Sequence, residues 1–352
     1  MSDDDRLGKV QTVLGLIDPE HLGITHTHEH VLIDLSCYSR HPEAASDRWY
    51  VEQTITMGLL GGAEPRWQYN VDNRLLLNER EQIEELRRFA EAGGGTIVDT
   101  TSIGIARDPL ALARVSRATG INLVMGASHY VPLTYTDELR ERSEDEIADS
   151  IVRDITAGVG ETGIRAGVIG EVGNFWPTNE TSRRILRASG QASLRTGASV
   201  IVHPGYSTEA LFQHAEDLIA GGADPSRIVM GHLDMFHDME AIRSLAETGV
   251  NLEYDAFGME DTDLGDVGGQ PVHLPTDSEA IGRLELLMKW GFGDRLVIAH
   301  DVCRKPHLTR YGGRGYAHII DSVLPRMRVR GFTDRDIETI LVENPKRILA
   351  FA

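Results

Sequence analysis

Eight short apolar runs, spaced along the whole chain, most constrain what this sequence can fold into. Most of them are continuous stretches of Val, Ile and Leu, which is the pattern of strands buried on both faces of a parallel sheet. An amphipathic stretch follows nearly every run, so strand and helix are predicted to alternate. The runs lie at residues 24–33, 95–101, 122–128, 166–172, 198–203, 227–232, 250–255 and 295–301.

The stretches between these runs carry the start and stop signals of helices. Asp108-Pro109 combines a capping side chain with a proline in the first turn, which favours a helix start. Glycine follows nearly every stretch, as expected at helix ends. Helices are predicted at 79–91, from 108, and at 143–157, 179–195, 208–220, 238–248 and 277–290. Eight alternations in 352 residues predict an α/β fold, a single (β/α)8 TIM barrel domain over residues 1–352, with a doubly wound open sheet as the alternative.

Four segments fall outside this alternation. Residues 1–23 are predicted to form a short N-terminal hairpin, which we interpret as a lid. Residues 36–78 are a long insertion between the first strand and its helix; rim loops of this length often form lids or substrate walls, and packing over the barrel mouth is an equal alternative. The glycine-rich stretch 309–316 has no phosphate-binding pattern and is interpreted as a flexible pocket wall. Residues 333–352 are interpreted as two closing helices, broken at Asn344-Pro345.

The first run carries three alternating histidines, His26, His28 and His30. Side chains two apart on a strand point to the same face, so all three rings are expected on one side, with Glu29 on the other. Neutral imidazole is the commonest metal ligand. The run therefore predicts a metal site, and a histidine cluster satisfied by hydrogen bonds alone is the alternative.

Most other strands also end in a side chain that binds metals. In a closed ring of parallel strands, all the carboxyl ends meet at one rim, where the chemistry of such barrels takes place. An open sheet would not bring these residues together, which favours the barrel. The residues are His28, His30, Glu171, His203, His232, Asp255 and Asp301.

Composition excludes several classes of partner and site. The net charge of −19 argues against nucleic acid and against an anionic membrane surface. The two cysteines, Cys37 and Cys303, exclude a disulfide framework and a thiolate zinc site, and they fit a reducing compartment. The polar N-terminus is unlike a secretory signal, and no apolar run approaches the roughly 20 residues of a membrane-spanning helix. We therefore expect a cytoplasmic protein that acts on a small molecule.

The strand-end residues carry a resemblance to a known family. With Thr27-His28-Glu29-His30 on strand one and Asp301 on strand eight, the chain resembles the phosphotriesterase family of the amidohydrolase superfamily. The similarity runs from Lys9 to Arg347 and favours the phosphotriesterase-related branch. Its further motifs are His203, His232, a Gly-Glu-Val-Gly strand four followed by Trp-Pro, a Leu-Glu-Tyr-Asp strand seven, and a Tyr-Gly-Gly-x-Gly-Tyr loop.

The resemblance implies two divalent metal ions per chain, most often zinc, with manganese, cobalt or iron as alternatives. His28, His30 and Asp301 would hold the buried ion, and His203 and His232 the more exposed one. Many relatives bridge the ions with a carboxylated lysine on strand four; here Glu171 stands there, and it carries the same single charge. The resemblance also implies a homodimer. Residues expected to line or support the substrate pocket are His26, Tyr130, Trp176, Asp255, Arg304 and Tyr311.

The expected chemistry is hydrolysis. A hydroxide shared by the two ions would attack the substrate, and Asp301 would accept its proton and pass it to the leaving group. Phosphotriester hydrolases of the family have a histidine directly after the strand-seven aspartate, whereas Ala256 follows Asp255 here. This departure favours a carbonyl substrate: an amide, lactone or ester, with small N-acyl amides slightly preferred. The alternatives are a phosphotriesterase and a non-catalytic barrel that binds a metal or a small ligand.

Overall fold

A computed structural model of the protein describes residues 6–63, 66–260, 262–267 and 269–352. Eight parallel strands form one sheet in which neighbours along the chain are neighbours in space, from β1 to β8. This is the predicted (β/α)8 barrel, and each strand begins within a few residues of its predicted run. The strands are β1 Ile24–Glu29, β2 Gly94–Asp99, β3 Asn122–Ala127, β4 Val168–Gly173, β5 Val200–His203, β6 Ile228–Met230, β7 Asn251–Tyr254 and β8 Leu296–Ile298.

The seam of the barrel lies between β8 and β1, the two ends of the strand order. At the rim the backbone N–H of Asp301 donates to the carbonyl oxygen of His28 at 3.2 Å. The carboxylate of Glu29 also crosses this seam and accepts the backbone N–H of Val302 at 2.9 Å. Side chains and rim residues thus complete the ring at the point where the candidate metal ligands of β1 and β8 meet.

Helices separate consecutive strands, and several start at local capping groups. The side chain of Asn78 accepts backbone N–H groups at the start of α1. Ser143 and Glu146 form a reciprocal capping box at the start of α3. Such caps satisfy N–H groups that a helix start leaves without a partner. The helices that follow the eight strands are α1 Glu79–Glu91, α2 Pro109–Thr119, α3 Glu144–Thr156, α4 Glu180–Thr196, α5 Thr208–Ala220, α6 Met239–Glu247, α7 Asp277–Lys289 and α8 Leu324–Val329. Shorter helices lie at Leu60–Ala63, at Asp137–Glu141 and in the tail.

The apolar core has two parts. One lies between the strands and the surrounding helices. The other fills the barrel interior below the rim and consists of one inward side chain from most strands, together with residues from both ends of the chain. Its members are Val10, Leu22, Val98, Val124, Val168, Ile201, Val229, Val297, Ile348 and Leu349.

The N-terminal hairpin closes the floor of the barrel. Strand Val10–Thr12 pairs antiparallel with Gly15–Ile17, as predicted for this hairpin. However, Val10 packs into the interior cluster, and the N–H of Val13 donates to the carbonyl of Leu123 at the start of β3. The hairpin therefore lies at the end of the barrel opposite the rim. Its interpretation as a lid is wrong for the described part, and residues 1–5 lie outside the described residues.

The insertion after β1 and a second, unpredicted hairpin cover the rim together. Within the insertion, Ile33–Asp34 pairs with Leu75–Leu76, and short 3-10 turns connect them. The second hairpin, Asp263–Val267 with Gln270–His273, follows β7. Trp67 of the insertion donates its indole N–H to the carbonyl of Leu264 at 3.2 Å. These two segments, about 200 residues apart in the chain, form one wall above the barrel mouth.

The C-terminal tail and the stretch 309–316 differ from what the sequence predicts. The tail has no break at Asn344: helix Asp334–Glu338, a π turn over Thr339–Glu343 and helix Asn344–Leu349 follow one another directly. Pro345 has no N–H to donate, and it directly follows the π turn, in the first turn of the last helix. The stretch 309–316 is not a flexible wall of the cleft: Glu85 accepts the backbone N–H groups of Thr309 and Arg310, and no residue of the stretch lines the cleft.

Among the described residues, no helix is both long and apolar enough to cross a membrane.

Candidate metal centre

A register shift in β1 separates the three histidines. The pairing of β1 with β2 becomes irregular between His26 and Glu29, and a shift of this kind re-aims the side chains that follow it. His28 and His30 face the barrel interior at the rim. His26 instead packs against Phe89 of α1, with ring centroids 4.6 Å apart. The expectation that all three histidines share one face is therefore wrong for His26.

Glu171, at the rim end of β4, is the centre of the site. Nδ1 of His203 lies 3.0 Å from its Oε2, and Nε2 of His30 lies 3.3 Å from its Oε1. Nε2 of His28 and Nε2 of His232 each lie 3.5 Å from Oε2. Side chains from four other strands therefore surround this buried carboxylate. Strands β1, β5 and β6 contribute imidazoles, and β8 contributes Asp301, which lies 3.2 Å from His30.

The second nitrogen of each imidazole is held by a neighbour. Nδ1 of His28 lies 3.0 Å from Glu253, and Nδ1 of His232 lies 2.9 Å from Asp255. Nδ1 of His30 meets the Thr101 hydroxyl at 2.9 Å, and Nε2 of His203 meets the Tyr206 hydroxyl at 3.3 Å. Hydrogen bonds of this kind fix the tautomer and direction of a metal-binding histidine. The opposite nitrogens face Glu171, and two of them also contact each other, since Nε2 of His232 lies 2.7 Å from Nδ1 of His203; these inward nitrogens are the atoms that would bind a metal.

The electrostatics of the site favour positive charge beside Glu171. Burial opposes ionisation of Glu171, but the surrounding histidines, His203 foremost, outweigh burial and bring its pKa well below the usual range. Burial disfavours the charged form of His30, yet hydrogen bonds to Asp301 and Glu171 raise its pKa to about 9. His203 behaves differently, because burial and the charge of His232 lower its pKa. A bound cation would supply the same positive charge.

The residues fit a pair of divalent ions. His28, His30 and Asp301 form one group, and Glu171, His203 and His232 another; within each group the donor atoms lie within 4.8 Å of one another. Nε2 of His28 is buried, faces Glu171, and has no hydrogen-bond partner. Buried polar atoms rarely lack a partner in native proteins. An all-nitrogen-and-oxygen donor set suits zinc, manganese, cobalt or iron.

A cleft of about 540 Å³ opens above this cluster. Of the predicted pocket residues, Tyr130 and Arg304 line it. The sequence-based list omitted most of its wall, which comes from the segments that follow β1, β5, β6, β7 and β8. These additional residues are Ile33, Leu35, Tyr38, Trp67, Tyr206, Met235, Met259, Leu264, Val267 and Cys303.

Four predicted pocket residues lie outside the cleft wall. His26 is buried behind β1, against α1. Asp255 lies behind the ligands, where it accepts from both the backbone N–H and Nδ1 of His232. Tyr311 donates its hydroxyl to Glu81 on α1 at 3.1 Å. Trp176 packs so closely against Gly205 that any side chain at position 205 would overlap it. Strand-end position predicted which side chains meet at the rim, but the pocket residues on loops needed tertiary information.

Fold and site together define a metal-dependent hydrolase: imidazoles and carboxylates converge at the carboxyl rim of a (β/α)8 barrel, below an open cleft. The chain belongs to the phosphotriesterase family, whose model matches residues 8–349.

Individual relatives agree with this assignment. An N-acetyltaurine hydrolase from Dictyostelium discoideum is 39% identical over 374 residues, and one from Homo sapiens is 39% identical over 346 residues; each match covers 98% of both chains. Among solved structures, a resiniferatoxin-binding protein from Rhodobacter sphaeroides aligns with a TM-score of 0.93 and 35% identity, over 97% of this chain and 95% of that one.

Proposed function

We propose that this protein is an amidase that hydrolyses small N-acyl amides, N-acetyltaurine first among them. The observation that carries the proposal is the convergence of four imidazoles and two carboxylates at the rim, in a chain that resembles N-acetyltaurine hydrolases over its full length. No serine or cysteine nucleophile is required, because bound metal ions would activate the water molecule.

The ligand roles follow the two groups of donors. His28, His30 and Asp301 would hold one ion, His203 and His232 the other, and Glu171 would bridge them. We propose zinc as the metal, since it accepts this mixture of nitrogen and oxygen donors. A homodimer and a cytoplasmic location remain predictions, to be checked by light scattering and by fractionation.

The ions, when bound, polarise the amide carbonyl and lower the pKa of water. The chain supplies the proton transfer. The Asp301 carboxylate lies beside His30 at the edge of the cleft, 16% exposed, where it would take the proton of the attacking water. The same carboxylic acid would then protonate the departing amine, because an amide nitrogen leaves only as the neutral amine. Tyr206 and Tyr130 keep their hydroxyl protons, since burial raises the pKa of each.

Arg304 suits an anionic group on the amine side of the substrate. Its guanidinium lines the cleft, is 3% exposed, and lies 5.1 Å above the Trp67 ring. Stacking on an aromatic ring fixes the direction of a guanidinium, and Nη2 of Arg304 is held further by Nε2 of His307 at 3.1 Å. Much of the remaining wall is apolar or aromatic. A short N-acyl chain that ends in a sulfonate or carboxylate matches this arrangement of charge.

A substrate panel tests the proposal. After expression with added metal, we expect about two divalent ions per chain by elemental analysis. N-acetyltaurine, neutral N-acetyl amides, lactones, esters and a paraoxon-type phosphotriester are then compared by kcat/KM. Because Ala256 stands where phosphotriester hydrolases have a histidine, carbonyl substrates should exceed the phosphotriester by at least about a hundredfold, or ~2.7 kcal/mol.

The panel separates the alternatives. A higher kcat/KM for the phosphotriester would replace the amidase assignment with a phosphotriesterase. A lactone that outperforms every amide would make the protein a lactonase with the same metal centre. Metal-loaded protein that hydrolyses none of the panel would reject the proposed substrate classes.

A further inference from the structure

Glu29 lies between two candidate metal ligands, His28 and His30, yet it faces away from both. It is fully buried, with no exposed surface. The register shift in β1 directs its carboxylate across the seam of the barrel to the end of β8. A buried carboxylate is costly unless several donors satisfy it, so its partners indicate what it does.

The Glu29 carboxylate accepts hydrogen bonds from the residues on both sides of Asp301, the proposed proton acceptor. Its Oε1 accepts the backbone N–H of His300 at 3.0 Å, and its Oε2 accepts the backbone N–H of Val302 at 2.9 Å. These two residues flank Asp301 directly. Glu29 therefore fixes the peptide groups on both sides of Asp301 without touching its side chain.

The His300 ring reinforces this arrangement. Its Nε2 accepts the backbone N–H of Ile319 at 3.0 Å, so the ring hydrogen is on Nδ1. That Nδ1–H donates to Oε1 of Glu29 at 2.8 Å. Three donors from one turn of chain thus converge on one carboxylate, and each bond to a charged group is stronger than a neutral one.

Asp301 needs such support because its backbone is strained. Its φ is +50°, in the left-handed region that a non-glycine residue adopts at a cost of about 1 kcal/mol or more. Strained residues persist only where the surroundings over-determine their conformation. The backbone N–H of Asp301 also donates to His28 across the same seam, at 3.2 Å.

We propose that Glu29 is a positioning residue for the hydrolytic reaction: it holds Asp301 in its left-handed conformation, so that the Asp301 carboxylate faces both the metal centre and the cleft. This inference rests on the proposed function through the role of Asp301. Glu29 belongs to neither of the two groups of candidate ligands around Glu171, and its effect on Asp301 passes through the backbone.

The principal test replaces Glu29→Gln. Glutamine keeps the length of the side chain but removes its charge. Its NH2 group would also face one of the two backbone N–H groups, of His300 or Val302, and could not accept a hydrogen bond from it. We expect kcat for the best amide substrate to fall at least tenfold, KM to stay within twofold, and the metal content to be unchanged. In cobalt-loaded protein the visible absorption bands should shift, because they report ligand geometry.

Glu85→Gln is the matched control. Glu85 is also a buried carboxylate, 2% exposed, and it also accepts two consecutive backbone N–H groups, those of Thr309 and Arg310. Its loop carries none of the candidate ligands. We expect Glu85→Gln to lower the melting temperature about as much as Glu29→Gln, with kcat and the cobalt spectrum unchanged.

Unchanged kcat and an unchanged cobalt spectrum in Glu29→Gln would overturn the inference, as would a loss of metal that saturating metal fully reverses. If Glu29→Gln fails to fold, kcat and the cobalt spectrum are measured on Glu29→Asp instead. Aspartate keeps the charge but is too short to reach both N–H groups, so wild-type values in this variant would reject the role of Glu29. The cobalt spectrum remains informative even if the protein hydrolyses no amide, so failure of the proposed function is distinguishable.

Discussion

At the scale of single residues, carboxylates buried behind the ligands recur around the rim. Asp99 accepts the backbone N–H of Val31, next to His30. Asp234 accepts the backbone N–H of Asp255, which in turn holds His232. Burial and the neighbouring charge of Asp255 raise the pKa of Asp234 to about 7. These two carboxylates, like Glu29, thus tie the end of one strand to an adjacent strand.

The proton role of Asp301 is tested by Asp301→Asn. Asparagine still offers an oxygen to a metal ion but cannot accept a proton. We expect elemental analysis to give nearly the wild-type metal content, while kcat falls by about 10²–10⁴, the usual contribution of a general base. Retention of both metal and turnover would exclude Asp301 as the base, and loss of the metal would show that its role as a ligand dominates.

Arg304 is tested by Arg304→Met with two substrates. We expect kcat/KM for N-acetyltaurine to fall at least tenfold, mainly through KM, because the variant removes the charge that faces the sulfonate. A neutral N-acetyl amide of similar size should change less than twofold. Lys305→Met is the control, since Lys305 pairs with Asp72 outside the cleft. Equal losses for both substrates would assign Arg304 a structural role only.

At the scale of elements, the wall of the cleft depends on contacts between the insertion and the hairpin after β7. Besides the bond from Trp67 to Leu264, the Gln68 amide donates to the carbonyl of Asp266 at 3.1 Å. Arg40 pairs with Asp266 at 2.9 Å, but both side chains are about half exposed, so this ion pair contributes little. Trp67 is therefore the contact that most affects the cleft.

Trp67→Phe tests this coupling. The variant keeps an aromatic ring but loses the indole N–H, so the hydrogen bond to Leu264 disappears. A bond of this kind contributes about 0.5–1.5 kcal/mol, which corresponds to a rise in KM of roughly twofold to tenfold. Trp49→Phe is the control, because Trp49 lies on the same insertion and is 59% exposed. Identical KM values for the two variants would exclude the coupling.

The sequence predicts regular elements well because their signals are local. The bounds of α1 and α5 agree with prediction, and each strand follows from an apolar run between turns. The candidate ligands could be predicted because barrel topology alone brings strand ends together. The position of His26 could not, since it depends on a register shift against β2. Nor could the hairpin at 263–273, whose exposed, charged strands are stabilised by residues some 200 positions away.

At the scale of the whole molecule, buried histidines make stability depend on pH. His214 on α5 is fully buried and contacts the Thr178 hydroxyl at 2.9 Å. Burial, with a smaller contribution from His203, lowers its pKa from 6.5 to about 3. Above pH 6.5 the ring is neutral in both folded and unfolded chains. Below that pH the unfolded chain binds a proton that the folded chain excludes, so the free energy of unfolding decreases as the pH falls.

His214→Gln should remove this effect. Between pH 7 and pH 5, the 1.5 pH units below the unfolded pKa correspond to about 2 kcal/mol of lost stability. We expect the free energy of unfolding, measured by urea titration, to fall by that much less in His214→Gln than in wild type. His41→Gln, at an exposed histidine, is the control. The same fall in all three proteins would place the acid sensitivity elsewhere.

The barrel floor has a practical consequence. Leu7 forms a β-bridge with Phe351, and the N–H of Gly8 donates to the Phe351 carbonyl at 2.9 Å. The two ends of the described chain therefore lie together beneath the interior cluster. The cleft opens at the opposite pole. A linker attached at either end would fix the protein to a bead or an electrode with its cleft turned toward the solution, and immobilisation would not obstruct entry of a small molecule.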